Sequence, residues 1–370
     1  MGNAIIPASA FTPDKHLLPI WSGHEIYDET VMFVGEEGFD TLLYEPDGEV
    51  TVRDYRLSVT YTEGKDFRIE GRRIYRLPGS AMPYWEVDDY FPTVPNNPGI
   101  MIGVDWDKLD FDFDRSVQRY IYYGEATLMT DKQLTVTYTH KDNYTGIVPA
   151  DQSAQAAPLL EKLRAGRSIR MMVYGDSVAV GCCASGTQYG GFISPYMPDF
   201  PHLVKEWTER TFGVTVGLEN QAVGGWRAEN CRSEWDARIK GKDIDLLLFR
   251  IGGNDSFTPL EVYEAHIDDM LSRFYAEHPD GVVVLQSAET PNPQSCWVGN
   301  QVFFEDVLLR LADKHPHTVV APVYSMFVWM QSTGKRMRSF LGNNINHPND
   351  FGIRVYTQTI LRSLYGNIFE

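Results

Sequence analysis

Two patterns of hydrophobic and polar positions divide the chain near residue 145. Before this point, short runs alternate β-branched or aromatic residues with charged ones, which is typical of strands that bury one face. Turn signals such as Pro46-Asp47-Gly48 separate the runs. The alternation predicts an antiparallel β-sandwich, with strands in residues 49–64, 65–78, 99–114, 119–130 and 132–142.

After Ser168 the pattern changes to short, continuous apolar runs that alternate with helix-like segments. A strand that is apolar on both sides is buried on both faces, and crossover helices connect such strands in parallel. We therefore predict a parallel sheet covered by helices such as residues 201–213, 260–279 and 352–366. Its strands are predicted in residues 169–175, 214–221, 243–252, 281–288 and 317–323.

The stretch GIVPADQSAQAAPLL, from Gly146, has no hydrophobic period and is interpreted as a linker, and a short helix is predicted over residues 157–166. A chain of 370 residues is also too long for one ordinary core. We predict two domains. Residues 1–150 form an accessory β-sandwich domain, a candidate for carbohydrate contact, and residues 151–370 form an α/β domain.

Composition and charge narrow the class of protein. The apolar content of 43% and the charged content of 22% are ordinary for a globular protein. A formal net charge of −17 disfavours nucleic acid and anionic membranes as partners, because both would repel the protein. The start of the chain lacks the basic and long apolar regions of an export signal, so we expect a cytoplasmic protein, while a secreted form stays open. The oligomeric state stays open too.

No metal or cofactor is expected. The four cysteines have no C-x-x-C spacing, the histidines have no H-x-x-x-H spacing, and neither a P-loop nor a dinucleotide fingerprint is present. We predict four reduced thiols. Cys182 and Cys183 are expected to pack in the helix after the first parallel strand.

Polar, glycine-containing stretches follow the predicted parallel strands. In such a sheet, ligands bind beyond the carboxyl ends of the strands, so candidate functional residues should lie there. Each stretch alone is a weak signal, because strands often end in polar turns. The side chain of Asp176 is expected to stabilise such a turn by hydrogen bonds to backbone groups. The stretches are Gly175-Asp176-Ser177, residues 220–226, residues 252–256 and, near the end of the chain, residues 343–352.

Together, and in this order, the stretches resemble the motif blocks of the SGNH (GDSL-type) hydrolase family over about residues 168–370. The matching residues are Ser177, then Asn220 with Gly225, then Gly252-Gly253-Asn254-Asp255, and finally His347-Pro348. The resemblance implies a three-layer α/β/α, flavodoxin-like hydrolase domain. It also implies a serine esterase with Ser177 as nucleophile, His347 as base, and an oxyanion hole formed by the N–H groups of Ser177 and Gly225 with the Asn254 amide.

This chemistry explains the residue types. A serine hydroxyl is a poor nucleophile at neutral pH and needs a base within hydrogen-bond reach, a role suited to His347. Attack on an ester places negative charge on the former carbonyl oxygen, and losing one preorganised donor to that charge costs about 3–4 kcal/mol. Asn220 and Asp255 are expected to support these loops structurally.

One position departs from the family pattern. The family has Asp three residues before its histidine, whereas this chain has Asn344, which can accept a hydrogen bond from His347 but carries no charge. A Ser–His dyad oriented by Asn344 or a backbone carbonyl is the favoured interpretation. Two others stay open, namely residual activity, or another acid near His347 such as Asp350, Asp255 or Glu289.

The substrate is less well specified. Trp226 and Trp297 follow strand ends and could form a wall for a sugar ring, and a core position is an equal alternative for each. The resemblance together with the extra β domain favours an esterase that removes acetyl groups from a carbohydrate. The alternatives are a lipid or thioester acyl hydrolase and a catalytically weak glycan-binding protein.

Overall fold

The computed structural model describes residues 11–369, so the expectation about an export signal falls partly outside them, in residues 1–10. The chain forms two compact units built from interleaved segments. We call the first the β unit (residues 11–144, 182–199 and 333–354) and the second the α/β unit (residues 145–181, 200–332 and 355–369). Two segments of the predicted second domain thus cluster with the N-terminal residues, and the boundary at residue 150 stays a prediction.

The β unit contains two antiparallel sheets, as the alternating pattern predicts. A four-stranded sheet has the order β1-β7-β3-β4, and a three-stranded sheet has the order β2-β6-β5. Its elements are α1 (Pro13–His16), β1 (Glu25–Met32), β2 (Phe39–Thr41), β3 (Thr51–Asp54), β4 (Thr60–Tyr61), β5 (Phe67–Glu70), β6 (Arg73–Arg76), α2 (Val87–Tyr90), α3 (Thr127–Thr130) and β7 (Gln133–Thr139), with 3₁₀ turns at Gln188–Gly190 and Met337–Ser339.

Two predicted strands of this unit are wrong. Residues 99–114 and 119–126 contain an isolated bridge between Gly103 and Tyr120 but no strand, and residues 127–130 form helix α3, so neither predicted run pairs with a neighbouring strand. The aromatic residues that suggested a strand pack instead as a loop cluster, with Phe113 5.5 Å from the ring of Phe91.

Strand β1 was not predicted, and two of its five buried side chains, Glu29 and Thr30, are polar. Glu29 is fully buried there, accepts hydrogen bonds from Leu43 N at 3.0 Å and Tyr138 Oη at 2.6 Å, and pairs with Lys335 at 2.6 Å. A buried, fully bonded charge satisfies the fold but breaks the hydrophobic alternation that predicts strands.

The α/β unit contains one five-stranded parallel sheet, with the order β12-β11-β10-β8-β9. Counted from β8, this is the 2-1-3-4-5 order of flavodoxin-like folds. Its elements are α4 (Ala157–Arg164), β8 (Ile169–Gly175), α5 (Ser177–Val180), α6 (Phe200–Phe212), β9 (Val216–Asn220), α7 (Ala228–Arg238), β10 (Leu246–Arg250), α8 (Leu260–Glu277), β11 (Val282–Gln286), α9 (Phe304–Lys314), β12 (Thr318–Ala321) and α10 (Val323–Ser332), with 3₁₀ turns at Asn300–Phe303 and Gly366–Ile368. The last helix, α11 (Asp350–Tyr365), has residues 350–354 in the β unit and the rest in the α/β unit.

Both faces of this sheet are buried except along the edge strand β9. The successive residues Val173 and Tyr174 point to opposite faces, and both are fully inaccessible. On the face of Tyr174, side chains of α7, α8 and α9 form one apolar cluster, which includes Trp235, Met270 and Leu308. The predicted fold class, a doubly wound parallel sheet with separate antiparallel sheets, is therefore confirmed. Among residues 11–369, no helix combines the length and hydropathy that a membrane span requires.

Candidate active site

The order of the parallel sheet itself indicates where a ligand would bind. Strands β8 and β10 are neighbours, whereas the chain between them passes through β9 at the edge, so the direction of winding reverses between β8 and β10. In open parallel sheets, ligand sites form at the carboxyl ends of the strands at this switch point. Ser177 follows β8 and Asn254 follows β10, so the sheet order alone selects the two loops that the motifs also selected.

The turn that carries Ser177 is fixed by its backbone. Gly175 ends β8 with φ +144°, and a Cβ at this position would overlap the carbonyl oxygen of Arg250 on the adjacent strand. Asp176 then caps α5, accepting hydrogen bonds from Val178 N at 3.1 Å and Gly253 N at 3.3 Å. The expected structural role of Asp176 is confirmed, and Ser177 is held as the first residue of the helix.

A buried arginine that the motifs did not predict lies under this turn. Arg250 forms ion pairs with Asp176 and, at 2.6 Å, with Glu289, and all three side chains are shielded from solvent. Burial alone would lower the pKa of Arg250, but the two carboxylates raise it well above its ordinary value. Glu289 also accepts a hydrogen bond from Tyr356 Oη. The sequence signal was a charge within the apolar run LLLFRIG.

The loops after β9 and β10 carry the predicted oxyanion donors. Gly225 has φ +78°, and a Cβ on the preceding Gly224 would lie 3.9 Å from the Cβ of Ser177, which places this loop beside Ser177. The Asn254 amide donates one hydrogen bond to Trp226 O at 3.0 Å and carries a second N–H. Trp297 Nε1 donates to the carbonyl oxygen of Gly253 at 3.0 Å.

Two further residues support these loops, as expected. Asn220 donates to Ala179 O at 2.8 Å and accepts from Ala222 N at 2.9 Å, which joins the loop after β9 to α5. Asp255 accepts from Ala228 N, at the start of α7, and from Thr258 Oγ1 at 3.0 Å. Burial raises the pKa of Asp255 to about 6.

The predicted base lies on a tight loop of the β unit. The Asn343 side chain accepts hydrogen bonds at 2.9 Å from the backbone N–H groups of Ile345, Asn346 and His347. The base of the loop is closed by the hydrogen bond from Gly342 N to His347 O, at 2.6 Å. A single side chain thus fixes the backbone from which the imidazole projects.

A carboxylate that the sequence analysis did not predict lies against this imidazole. Glu125 Oε2 is 3.1 Å from His347 Nδ1, and Glu125 also accepts hydrogen bonds from Tyr123 Oη at 2.5 Å and Cys183 Sγ at 3.2 Å. Burial alone would raise the pKa of Glu125, but the interaction with His347 and the other donors lower it to about 2. The carboxylate is therefore ionised near neutral pH, which favours a proton on Nδ1 and leaves Nε2 as the basic nitrogen.

Asn344, the predicted orienting residue, has other hydrogen-bond partners. Its Oδ1 accepts from Tyr90 Oη at 2.6 Å and its Nδ2 donates to Tyr122 O at 2.9 Å. Of the alternative acids, Asp350 accepts from Ser185 N at 2.8 Å, and Asp255 and Glu289 have the partners described above. The carboxylate at His347 Nδ1 is that of Glu125, 222 positions away in sequence.

The structure distributes the predicted site residues over both units. Ser177, Gly225, Asn254, Trp226 and Trp297 belong to the α/β unit, and His347 and Asn344 belong to the β unit. The pairing of Ser177 with His347 therefore stays a prediction. Cys182 and Cys183 lie beyond α5, which ends at Val180, so their expected place in that helix is wrong. All four cysteines are free thiols, as predicted.

No family model and no curated protein matches the chain. Solved structures similar to the chain include the α/β hydrolase enzyme LAE5 from the metagenome of Lake Arreo, Spain, with 19% identity, 54% of this chain and 95% of that chain covered, and a TM-score of 0.43. They also include a two-domain esterase active on acetylated mannans, with 17% identity, coverages of 60% and 56%, and a TM-score of 0.47. An acetyl xylan esterase from Geobacillus stearothermophilus has 15% identity, coverages of 53% and 94%, and a TM-score of 0.42.

Proposed function

We propose that the protein is a serine carboxylic ester hydrolase in which Ser177 is the nucleophile, His347 the general base and Glu125 the residue that orients the base. The observation that carries the proposal is the 3.1 Å hydrogen bond between the Glu125 carboxylate and His347 Nδ1. Glu125 supplies the negative charge that Asn344, at the position of the family's Asp, does not carry. With Glu125, the proposed set of groups is a complete acid–base–nucleophile triad.

In the proposed reaction, His347 Nε2 takes the Ser177 proton while the serine oxygen attacks the ester carbonyl. The imidazolium that forms is stabilised by the negative charge of Glu125. The backbone N–H groups of Ser177 and Gly225 and the second N–H of Asn254 donate to the developing oxyanion. His347 then returns the proton to the leaving alcohol, and water hydrolyses the acyl-enzyme by the same steps with water as nucleophile.

We further propose that the substrate is a small acyl ester, with an acetylated carbohydrate as the class to test first. Two of the similar structures are described as esterases of acetylated polysaccharides, which sets this choice of substrate. Trp226 and Trp297 each form a hydrogen bond with the Gly253–Asn254 segment. The bond from Trp297 is made by its indole ring, whose face suits stacking on a sugar beside the proposed oxyanion site. Trp226 bonds through its backbone carbonyl, and its ring packs against Tyr174 and the Arg238 guanidinium, which fits the alternative core position.

The test is hydrolysis of p-nitrophenyl acetate by the purified full chain. Ser177→Ala should abolish acetate release and covalent labelling by a fluorophosphonate. Ser256→Ala is the matched control, because Ser256 is also buried, also follows a strand of this sheet, and its Oγ has no hydrogen-bond partner. Retention of activity by Ser177→Ala would refute the proposal.

Two alternatives are separated by the same assay. A series of p-nitrophenyl esters of increasing acyl length distinguishes an acetylesterase from a lipid or thioester hydrolase, since the latter should prefer long chains. A glycan-binding protein without turnover should show neither hydrolysis nor labelling. That alternative rests on the uncharged Asn344, and the carboxylate of Glu125 at His347 Nδ1 supports the esterase over it.

A further inference from the structure

Three side chains of metal-binding type meet in the β unit. The ligand atoms of Glu125, Cys183 and His347 lie within 4.8 Å of one another, the one such group of three or more among the described residues. Glu125 Oε2 lies 3.2 Å from Cys183 Sγ and 3.1 Å from His347 Nδ1. The proposed reaction uses His347 and Glu125 but gives the thiol no role.

The thiol is held in place by close backbone packing. Cys183 has φ +67°, and a Cβ on Gly342 would lie 2.5 Å from the Cβ of Cys183. Gly342 is also the residue whose N–H closes the His347 loop. Only glycine at position 342 therefore allows the thiol to approach the base this closely, and the three ligand atoms come from a preorganised frame.

We propose that Glu125, Cys183 and His347 bind one zinc ion, and that this ion inhibits the esterase by occupying His347 Nδ1. The inhibition rests on the proposed function above. Around a tetrahedral zinc with bonds of about 2.0–2.3 Å, neighbouring ligand atoms are roughly 3.3–3.5 Å apart. The two separations from Glu125 Oε2, 3.1 and 3.2 Å, need to open by only a few tenths of an ångström. The third, between Cys183 Sγ and His347 Nδ1, lies within 4.8 Å and must reach the same value around the ion. The thiolate favours zinc over magnesium and calcium.

The carboxylate is the most accessible of the three ligands, since Cys183 is buried. The Glu125 side chain is 38% exposed, whereas that of His347 is 9% exposed. A zinc ion can therefore bind the Glu125 carboxylate first. It then replaces the hydrogen bonds that this carboxylate accepts from Cys183 and His347. Three protein ligands leave a fourth position for water, whereas structural zinc sites are closed by four protein ligands.

The binding step balances as follows. Zinc forms one bond each to the Glu125 oxygen, the Cys183 sulfur and His347 Nδ1. The thiol proton leaves to solvent, and the proton of His347 moves from Nδ1 to Nε2, so one proton is released per ion. A neutral imidazole that carries its proton on Nε2 cannot accept the proton of Ser177, and Glu125 no longer orients it. Hydrolysis therefore stops while the fold is retained.

The experiment measures zinc binding and ester hydrolysis on the same full-length preparation. Zinc affinity is read by competition with a chromophoric chelator, and hydrolysis is read with p-nitrophenyl acetate before and after addition of zinc and then EDTA. We expect one zinc per chain, loss of activity on binding, and full recovery with EDTA.

Cys183→Ser should keep the metal-free activity, because its hydroxyl can donate the same hydrogen bond, and should weaken both zinc binding and inhibition by at least about 100-fold. Cys182→Ser, at the neighbouring thiol, is the matched control and should behave as wild type. Thermal unfolding provides a second measurement, because zinc should raise the Tm of wild type and of Cys182→Ser but not of Cys183→Ser.

The proposal is overturned if wild type binds no zinc, if zinc activates rather than inhibits, or if Cys183→Ser binds zinc like wild type. Chelator competition needs no activity, so the two proposals fail separately. Zinc binding that depends on Cys183 in a protein without esterase activity would refute the esterase alone. Hydrolysis that depends on Ser177 and is insensitive to zinc would refute the metal site alone.

Discussion

Replacing Glu125 by Gln tests the orienting carboxylate directly, because it removes the charge and keeps the size. In the proposed reaction, the charge acts on the imidazolium that forms when His347 takes the serine proton. Coulomb's law over the 3.1 Å between the two atoms gives about 5 kcal/mol at an effective dielectric constant of about 20 and about 1.3 kcal/mol at about 80. Since the Glu125 side chain is 38% exposed, solvent screening places the loss between these limits, at about 2.7 kcal/mol.

That loss corresponds to a decrease of about 100-fold in kcat/KM, since 1.36 kcal/mol is one factor of ten. The assay is hydrolysis of p-nitrophenyl acetate at neutral pH, with Cys183 left intact. Glu86→Gln is a closely matched control, because Glu86 also accepts a hydrogen bond from a tyrosine two residues earlier, Tyr84, at 2.7 Å. It should retain wild-type activity. If Glu125→Gln loses less than about threefold while Asn344→Ala loses far more, the assignment of the orienting role to Glu125 is wrong.

Three further predictions concern stability and its pH dependence. Asn344→Asp should lower the free energy of unfolding by about 2 kcal/mol or more, measured by urea denaturation, because the new carboxylate oxygen faces the carbonyl of Tyr122 that Nδ2 now contacts; it should also fail to restore activity to Glu125→Gln, and rescue would contradict the structure. Gly175→Ala should cost more than about 3 kcal/mol and yield little folded protein, because its Cβ would overlap the carbonyl oxygen of Arg250; normal expression and Tm would be inconsistent with the turn described here. Burial raises the pKa of Asp350 from 3.8 to about 6, so the stability from this group is present below about pH 4 and is lost as the pH rises through 6. In Asp350→Asn, the loss of unfolding free energy between pH 4 and 7 should be smaller than in wild type by up to about 3 kcal/mol, measured by urea denaturation. The same loss in both proteins would contradict the raised pKa of the buried carboxyl.

The parallel half of the fold was largely predictable because its strands obey one simple pattern. The predicted strand at 169–175 coincides with β8, and the other four predicted runs each contain one strand of the sheet. Continuous apolar runs of this length have few alternatives to a buried parallel strand. The N-terminal half was less predictable. Alternation in residues 119–130 predicted a strand, but no partner strand lies beside this segment. The hydrophobic pattern of one segment does not indicate whether a partner strand will lie next to it.

The residues of the candidate site also differ in whether the sequence could predict them. Ser177, Asn254 and His347 are identifiable from sequence because each lies in a short stretch whose local geometry the residues themselves impose, as Asn343 does for the His347 loop. Glu125 carried no such signal. It lies in a segment predicted as a strand and approaches His347 across 222 positions of sequence. A single sequence contains no information about which distant carboxylate will approach the base.

The sequence by itself determined the class of each half, the order of the polar loops along the parallel sheet, and the candidate nucleophile, because these follow from local periodicity and from residues that shape their own turns. Tertiary structure alone decided three things. These are the contact of the Glu125 carboxylate with His347, the burial of Arg250 under the Ser177 turn, and the position of the Cys183 thiol beside Glu125. Each depends on burial and charge pairing between distant segments, and such pairing is set by how the chain packs rather than by any local pattern.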